Sequence, residues 1–240
     1  MGTIRVGTSG YTYGHWRGVF YPEGLPNKDL LKFYAQSFDT VEINSSFYRL
    51  PKATTFLSWY AQTPKGFLFS LKASRFITHI KKLKDSQQPW ELFLKRAKNL
   101  REKLGPILFQ FPPLWKKNLE RLERFIQCIP KDLKATVEFR HPSWFSEEIY
   151  ALLKKQNVAL TIADTPEYPM EERLTADFIY LRFHGHRKLY VSNYSEKELQ
   201  SWARKIRRWR KSGKSVYAYF DNDAFGRAVK NALRLKDLCR

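Results

Sequence analysis

The chain has 240 residues and a mass of 28.5 kDa, a length that suits one domain and leaves little room for a second core of comparable size. Hydrophobic residues make up 43% and aromatic residues 16%, which excludes disorder as a description of the whole chain. Lysine and arginine number 43 against 23 aspartate and glutamate residues, so the net charge of +20 favours an anionic partner or substrate.

The sequence also bears on the compartment. Two cysteines, Cys128 and Cys239, are too few for a disulfide framework or a cysteine-based zinc site. The first residues lack a basic segment followed by a long apolar run, so no signal peptide is predicted. No apolar stretch approaches the ~20 residues that a membrane helix needs. We therefore expect a cytoplasmic protein with no membrane partner.

Short β-rich segments alternate with longer segments of helical period, a pattern typical of parallel strands joined by helices. The capping-box pair Ser195 and Glu198 predicts one helix start, and Asp223 is the expected N-cap of the last helix. Eight strand–helix units in 240 residues predict a single (β/α)₈ TIM barrel over residues 1–240. The predicted strands are Ile4–Gly7, Thr40–Asn44, Phe67–Lys72, Ile107–Phe111, Ala135–Arg140, Val158–Asp164, Phe178–His184 and Ser215–Asp221.

Several predicted strands carry polar residues at every second position. Val41 and Ile43 alternate with Glu42, and a later strand carries Arg182 and His184 in the same way. Since the apolar faces must pack on the helices, the polar faces are expected to point into the barrel. Their charges concentrate near the C-terminal ends of the strands, where barrel active sites lie.

These polar positions form a predicted ring drawn from seven of the eight strands, which Gln110, Asp164 and Asp221 complete. A buried charge is costly unless it is paired, so this convergence favours a functional site over a network that only fills the barrel. The candidate catalytic residues are Glu42, Glu138, His184, Asp164 and Lys72. The candidate substrate-binding residues are Asn44, Gln110, Arg140, Arg182, Trp144, Tyr48 and Asn222.

Two further chemistries stay open at this ring. His141, His184, His186 and the carboxylates could hold a divalent metal, but no His-Glu-x-x-His motif is present and neighbouring cations would repel it. No metal ligand is therefore assigned. Lys72 could form a Schiff base if nearby cations depress its pKa, although the carboxylates oppose that shift.

A basic run between Arg204 and Lys214 contains seven basic residues and no acidic one. Trp202, Ile206 and Trp209 mark the buried face of the same helix. The basic residues are therefore predicted to form the solvated outer face of a barrel helix, away from the catalytic mouth.

Several short motifs follow one another in order over nearly the whole chain. They are Gly7-Thr8-Ser9-Gly10-Tyr11, Phe20-Tyr21-Pro22, Val41-Glu42-Ile43-Asn44 with Phe47-Tyr48, Thr78-His79, Gln110-Phe111-Pro112-Pro113, Glu138-Phe139-Arg140-His141-Pro142-Ser143-Trp144, Arg182-Phe183-His184-Gly185 and Phe220-Asp221-Asn222-Asp223. In these motifs the chain resembles the YecE-like family, the domain of unknown function number 72. The resemblance implies a TIM-barrel fold and no established reaction. The chain departs from the family at Tyr11, where Trp is more usual, and at Asp221, where Asn is common.

The first functional hypothesis is an enzyme that acts on a small phosphorylated or sugar-like substrate. The enzyme classes considered are hydrolase, lyase and isomerase. In this hypothesis Glu42 and Glu138 are base and acid, Arg140 and Arg182 bind anionic oxygens, and His184 shuttles a proton. The alternative is a nucleic-acid-binding protein or a phosphodiesterase resembling endonuclease IV, which rests on the charge of +20. A third hypothesis is a noncatalytic protein that binds a regulatory ligand.

Overall fold

A computed structural model describes all 240 residues, from Met1 to Arg240. Strands and helices alternate along the chain as predicted. The strand segments are β1 (Ile4–Thr8), β2 (Thr40–Ile43), β3 (Leu68–Lys72), β4 (Leu104–Gln110), β5 (Ala135–Glu138), β6 (Ala159–Leu160), β7 (Ile162–Asp164), β8 (Phe178–Phe183) and β9 (Ser215–Phe220). The α-helices are α1 (Leu30–Ser37), α2 (Ser45–Tyr48), α3 (Ala53–Gln62), α4 (Gln87–Ala97), α5 (Leu119–Gln127), α6 (Glu147–Lys155), α7 (Glu196–Lys211) and α8 (Arg227–Leu238).

Every strand pairing is parallel, in two sheets of order β1-β9-β8-β7 and β2-β3-β4-β5-β6. β6 and β7 are successive parts of the predicted sixth strand, so one chain segment joins the two sheets. Between them, the Thr161 N–H donates to the carbonyl of Val137 on β5 at 2.8 Å. The predicted fold class, a (β/α)₈ TIM-barrel architecture, is confirmed.

The seam between β1 and β2 lacks a regular ladder. Its one backbone bridge joins Ser9 to Glu42, where the Gly10 N–H donates to the Glu42 carbonyl at 2.7 Å. The two sheets therefore meet through main-chain hydrogen bonding only at the C-terminal end of the strands.

A tyrosine hydroxyl fills the rest of this seam. The Thr8 N–H donates to the Tyr34 hydroxyl at 3.0 Å, and that hydroxyl lies 3.1 Å from the Thr40 carbonyl, to which it can donate. Gly7 permits the close approach, because a Cβ there would lie 2.3 Å from the Thr40 carbonyl oxygen. A side chain from α1 thus takes the place of a main-chain hydrogen bond between β1 and β2.

The strands separate an outer apolar core from an inner one. Outward-facing residues such as Val41 and Leu181 belong to a cluster of 58 buried residues shared with the helices. The inner cluster is small and rich in aromatic rings. It consists of Leu108, Ala159, Ala176, Phe178, Tyr180, Tyr217 and Tyr219.

A layer of hydroxyl groups lies inside the barrel beside this inner cluster. The Tyr219 hydroxyl is 2.7 Å from the Thr40 hydroxyl and 2.9 Å from that of Ser70. The hydroxyls of Thr136 and Thr161 are 2.8 Å apart. All five residues are buried, so their hydroxyls are satisfied by one another rather than by bulk solvent.

Helix α7 confirms two sequence predictions. Ser195 and Glu198 form the expected capping box, with the Ser195 N–H donating to a Glu198 carboxylate oxygen at 2.7 Å. Trp202, Ile206 and Trp209 are buried, which leaves the basic side chains of this helix on its exposed and half-buried faces. Among the eight helices, none is at once long enough and apolar enough to span a bilayer.

The expectation that Asp223 caps the last helix is wrong. A 3₁₀ turn at Ala224–Gly226 intervenes, and α8 begins only at Arg227. The Asp223 carboxylate instead accepts a hydrogen bond from Trp16 Nε1 at 2.7 Å and lies 2.8 Å from His15 Nε2. It therefore ties the loop after β9 to the loop after β1.

Candidate active site

Arg182, on β8, is the centre of an ionic cluster at the C-terminal ends of the strands, and only 1% of its side chain is exposed. Its Nε donates to both Glu42 oxygens, at 3.2 and 3.0 Å, and its Nη2 donates to Glu42 Oε1 at 2.8 Å. Its Nη1 donates to Glu138 Oε2 at 2.8 Å, and Nη2 lies 3.4 Å from Asp221 Oδ2. One guanidinium group thus joins carboxylates from three different strands.

The Glu42 carboxylate is fully buried and saturated with donors. Besides Arg182, it accepts hydrogen bonds from the Ser9 hydroxyl and from the Tyr180 hydroxyl, the latter at 2.7 Å. No lone pair is left over for a proton that a substrate would release. Glu42 is therefore suited to holding Arg182 in place.

Glu138 is held in the same manner. The Arg140 Nε donates to its Oε1 at 3.0 Å, and the Tyr168 hydroxyl donates to the same oxygen at 3.3 Å. Burial favours a raised pKa for the Glu138 carboxyl, but the charges of Arg182 and Arg140 outweigh burial and hold that pKa well below its usual range. Glu138 therefore stays ionised at neutral pH.

His184 links Asp221 to Arg182. Its Nε2 is 3.1 Å from Arg182 Nη1, and its Nδ1 is 3.0 Å from Asp221 Oδ2. Because an arginine can only donate, Nε2 must be the acceptor, which assigns the imidazole proton to Nδ1, facing the carboxylate. Burial raises the pKa of Asp221, but the hydrogen bond from His184 and the charge of Arg182 lower it by more.

Lys72, at the end of β3, is the exception in this cluster. Its amine donates no hydrogen bond and has no carboxylate oxygen within 4.0 Å, although it lies 4.3 Å from the centre of the Phe47 ring. Burial, assisted by the charge of Arg182, lowers the pKa of Lys72 to about 8, and the nearby carboxylates offset this only in part. A substantial fraction of the amine is therefore neutral near physiological pH.

A cavity of about 680 Å³ opens at this end of the barrel. Its wall combines two carboxylates, one amide, one amine and several aromatic rings. The lining residues are Tyr13, His15, Asn44, Tyr48, Lys72, Tyr190, Asp221, Asp223, Ala224 and Phe225. Asn44 donates from Nδ2 to the Ser9 hydroxyl at 2.6 Å, while its buried Oδ1 has no partner. Asn44 therefore has one acceptor without a partner, enclosed behind the cavity wall.

Most of the predicted ring residues come together here, but Asp164 does not. The expectation that it points into the barrel is wrong, because its side chain accepts a hydrogen bond from Trp202 Nε1 of α7 at 3.2 Å. Asp164 pairs in register with Phe183, whose ring also packs on Trp202. The period of two places Asp164 on the outer face with Leu160 and Ile162.

Two predicted substrate-binding residues also face away from the cavity. Trp144 is completely buried, where it stacks on Phe139 with ring centres 4.8 Å apart and donates to the Trp115 carbonyl at 2.7 Å. Asn222 is equally buried and donates to the carbonyl of Ser192 at 2.8 Å. Both stabilise the loops around the barrel mouth, so neither can contact a ligand in the cavity.

The other predicted binding residues differ in exposure. Tyr48 is 71% exposed at the rim of the cavity. The side chain of Arg140 retains 16% exposure. Gln110 is 4% exposed, and its Oε1 is buried without a partner.

Sequence reasoning missed several residues that complete the cluster. Ser9 and Tyr180 both donate to Glu42, and Tyr168 donates to Glu138. Tyr180 is two residues from Arg182 on the same strand and therefore points inward as well, so the alternation could have identified it. Ser9 and Tyr168 lie in loops, where no periodicity marks the direction of a side chain.

The residues present do not fit a metal site. No three histidine, cysteine, aspartate or glutamate side chains gather in an arrangement that could hold an ion. Two of the central carboxylates are committed to Arg182, and His141 Nδ1 accepts a hydrogen bond from the Ser143 N–H at 3.1 Å. We therefore derive no chemical step through a metal.

A parallel α/β barrel with its ionic cluster and cavity at the C-terminal ends of the strands belongs to the TIM-barrel-like class of proteins. The model of the family described as "Protein of unknown function DUF72" matches residues 5–240. The chain belongs to this family, which confirms the resemblance seen in its motifs.

Relatives and solved structures agree with this assignment. The UPF0759 protein YunF of Bacillus subtilis (strain 168) is 27% identical and aligns with 91% of this chain and 89% of its own length. The UPF0759 protein YecE of Escherichia coli (strain K12) is 28% identical, over 75% of this chain and 74% of its own. A crystal structure of a DUF72 family protein from Thermotoga maritima MSB8 shares 32% identity and a TM-score of 0.89, covering 98% of both chains.

Proposed function

We propose that this protein is an enzyme that acts on a small phosphorylated or sugar-like substrate, by acid–base chemistry, in the cavity at the C-terminal end of the barrel. The observation that carries the proposal is that an amine without a hydrogen-bond partner and a carboxylate line the same cavity. Lys72 and Asp221 both line the cavity, directly beside a cluster whose other charges are satisfied.

The size and lining of the cavity support a small polar substrate. A volume of about 680 Å³ falls within the range of small-molecule sites. Aromatic rings from Tyr13, Tyr48 and Tyr190 beside carboxylate and amide groups suit the faces and hydroxyls of a sugar. Lys72, in its protonated form, supplies a positive charge in the cavity wall for a phosphate or carboxylate group.

The geometry also redistributes the roles expected from the sequence. Glu42, Glu138 and His184 are bound to Arg182, so they are suited to fixing the cluster rather than to exchanging protons with a substrate. Lys72, with a pKa of about 8, is suited to act as the base, because proton transfer is efficient when the pKa lies near the working pH. Burial, assisted by the positive charge of Arg182, keeps this amine largely neutral above pH 8.

A substrate screen tests this proposal. Free sugars, phosphorylated sugars and nucleotides are ranked by the thermal shift they cause, and the best ligands are followed by NMR for conversion. We expect Lys72→Met to lower turnover by about 100-fold or more, as for loss of a general base. We expect kcat/KM of the wild type to rise with pH through about pH 8, where Lys72 loses its proton.

Lys98→Met is the matched control, because Lys98 is exposed on the outside of the barrel. It should bind and convert the same ligand at the wild-type rate. Conversion that survives both Lys72→Met and Asp221→Asn would contradict the proposal. Binding of DNA or RNA that falls steeply with salt, and that Lys72→Met weakens, would instead support the nucleic-acid hypothesis drawn from the charge of +20.

A further inference from the structure

We infer that the Lys72 amine is a nucleophile that forms an imine with the carbonyl carbon of a small aldehyde or ketone bound in the cavity. This inference rests on the proposed function in using the same cavity, and it adds both a covalent step and a substrate class. The structure supports it through position, access and the absence of competing partners.

The position of Lys72 suits a nucleophile on a rigid support. The residue is the last of β3, whose neighbours β2 and β4 hold it on both sides. Its side chain points into the barrel, as those of Leu68 and Ser70 do on the same face of β3. Lys72 therefore lines the cavity. An amine fixed on a strand end can meet a bound carbonyl without ordering a loop.

The amine has no partner that would have to be displaced. It donates to no oxygen of the protein, and Nζ lies over the face of the Phe47 ring, 4.3 Å from the ring centre. A lysine in an ion pair must give up that pair before its lone pair is available. Lys72 needs only to lose a proton.

Burial, assisted by one neighbouring charge, favours that loss. The positive charge of Arg182, on β8, disfavours the ammonium form of Lys72. The carboxylates Glu138, Asp221 and Glu42 favour the ammonium form, but burial opposes it more strongly. His79, in the π-helical turn after β3, feels the charge of Lys72 in return, and its own pKa is lowered to about 4, chiefly by burial. The balance lowers the pKa of Lys72 to about 8, so roughly a tenth of the amine is neutral at pH 7.

The covalent step balances without an oxidant or reductant. The Nζ lone pair forms a bond to the carbonyl carbon, and the π pair of the carbonyl moves to its oxygen, which takes a proton from the nitrogen. A second proton lets that hydroxyl leave as water while the nitrogen lone pair forms the C=N bond. Asp223 lines the same cavity, and burial raises its pKa to about 6, so its carboxyl group is suited to supply this proton and recover it.

Reductive trapping tests the inference. The wild-type protein is incubated with sodium cyanoborohydride and, in separate samples, with glycolaldehyde, glyceraldehyde 3-phosphate or pyruvate. Intact mass counts the adducts, and peptide mapping locates them. We expect Lys72 to react at least tenfold faster than Lys98 at pH 7.5, with a rate that rises through about pH 8 rather than toward 10.5.

Lys103 is an internal control, because it is buried but bonded to three protein oxygens. It should remain unlabelled. The variant Lys72→Arg keeps the positive charge and should lose the fast adduct. Because the adduct is mapped in the wild-type protein, the result does not depend on whether this variant folds.

The outcomes separate the inference from the proposed function. Labelling of Lys72 no faster than that of Lys98 overturns the imine, and turnover that still depends on Lys72 then leaves acid–base chemistry in place. Fast labelling of Lys72, combined with a Lys72→Met variant that turns over substrate at the wild-type rate, would support Lys72 as a nucleophile and overturn the proposed function.

Discussion

Lys72 and Lys103 both lie largely inside the molecule, yet their surroundings are opposite. Lys103 is 4% exposed, and its amine donates to the Tyr60 carbonyl at 2.7 Å, to the Thr63 carbonyl at 2.6 Å and to the Thr63 hydroxyl at 3.1 Å. These oxygens lie at the C-terminal end of α3, so the ammonium group caps that helix. Lys72 has no such acceptor and faces a cavity.

The difference teaches that burial alone does not make a lysine reactive. Burial lowers the pKa of both amines. At Lys103 the three acceptors stabilise the protonated form and occupy its donors, which gives the residue a structural role. At Lys72 a guanidinium group is nearby instead, and the amine keeps a free lone pair when it is neutral.

The largest expected effect on stability comes from Arg182, a third buried cation. Replacing Arg182 by Met leaves Glu42, Glu138 and Asp221 without their shared counter-charge, and we expect a loss of about 3–5 kcal/mol in the free energy of unfolding. Urea titration measures it. Arg140→Met, at a half-buried position, should cost clearly less; equal costs would show that the cluster is not centred on Arg182.

Lys103→Met should have the next largest effect. Three acceptors lose a charged donor, and we expect a loss of about 2–3 kcal/mol. Lys98→Met, on the neighbouring exposed surface, should stay within about 0.5 kcal/mol of the wild type. Equal stability of these two variants in thermal and urea unfolding would remove the structural role of Lys103 and break the comparison.

Lys72→Met should have an effect of opposite sign that shrinks with rising pH. The pKa of Lys72 is about 8 in the folded protein against 10.5 ordinarily, so the unfolded chain binds more protons between these values. The free energy of unfolding of the wild type therefore gains a rising contribution from about pH 8 to 10.5. At pH 7 the variant should be more stable by up to about 3 kcal/mol.

That advantage should shrink as the pH approaches 10.5. Urea unfolding of both proteins at pH 7, 8.5 and 10 measures the trend. A variant that is less stable than the wild type at pH 7 would mean that Lys72 has a stabilising partner, as Lys103 has.

The period of two explains how much of the site the sequence could reveal. Hydrophobic alternation identified the strands, and it placed Glu42, Glu138, Arg182 and Lys72 on the inner face, as the structure confirms. The same rule, applied to the sixth strand, places Asp164 on the outer face with Ile162. The prediction for Asp164 was wrong because every charged residue at a strand end was taken to point into the barrel.

Other features could not be read from the pattern. Trp144 and Asn222 follow strand ends, where the alternation no longer fixes direction, and tertiary packing draws both into the core. The sequence also gave no sign that Arg182 would bind several carboxylates while Lys72 bound none. That division depends on side-chain reach across the barrel, which only three-dimensional packing decides.

The barrel should open most readily between β1 and β2, where a tyrosine hydroxyl takes the place of a main-chain hydrogen bond. Where main-chain hydrogen bonds join neighbouring strands, separating the strands breaks many bonds together. This seam is held instead by the Tyr34 hydroxyl, the Arg5–Asp39 ion pair and the contacts of Ser9 and Gly10 with Glu42. Separating β1 from β2 would therefore break fewer main-chain hydrogen bonds than separating any other pair of neighbouring strands, while Lys72, two strands away, keeps the ladders on both sides of β3.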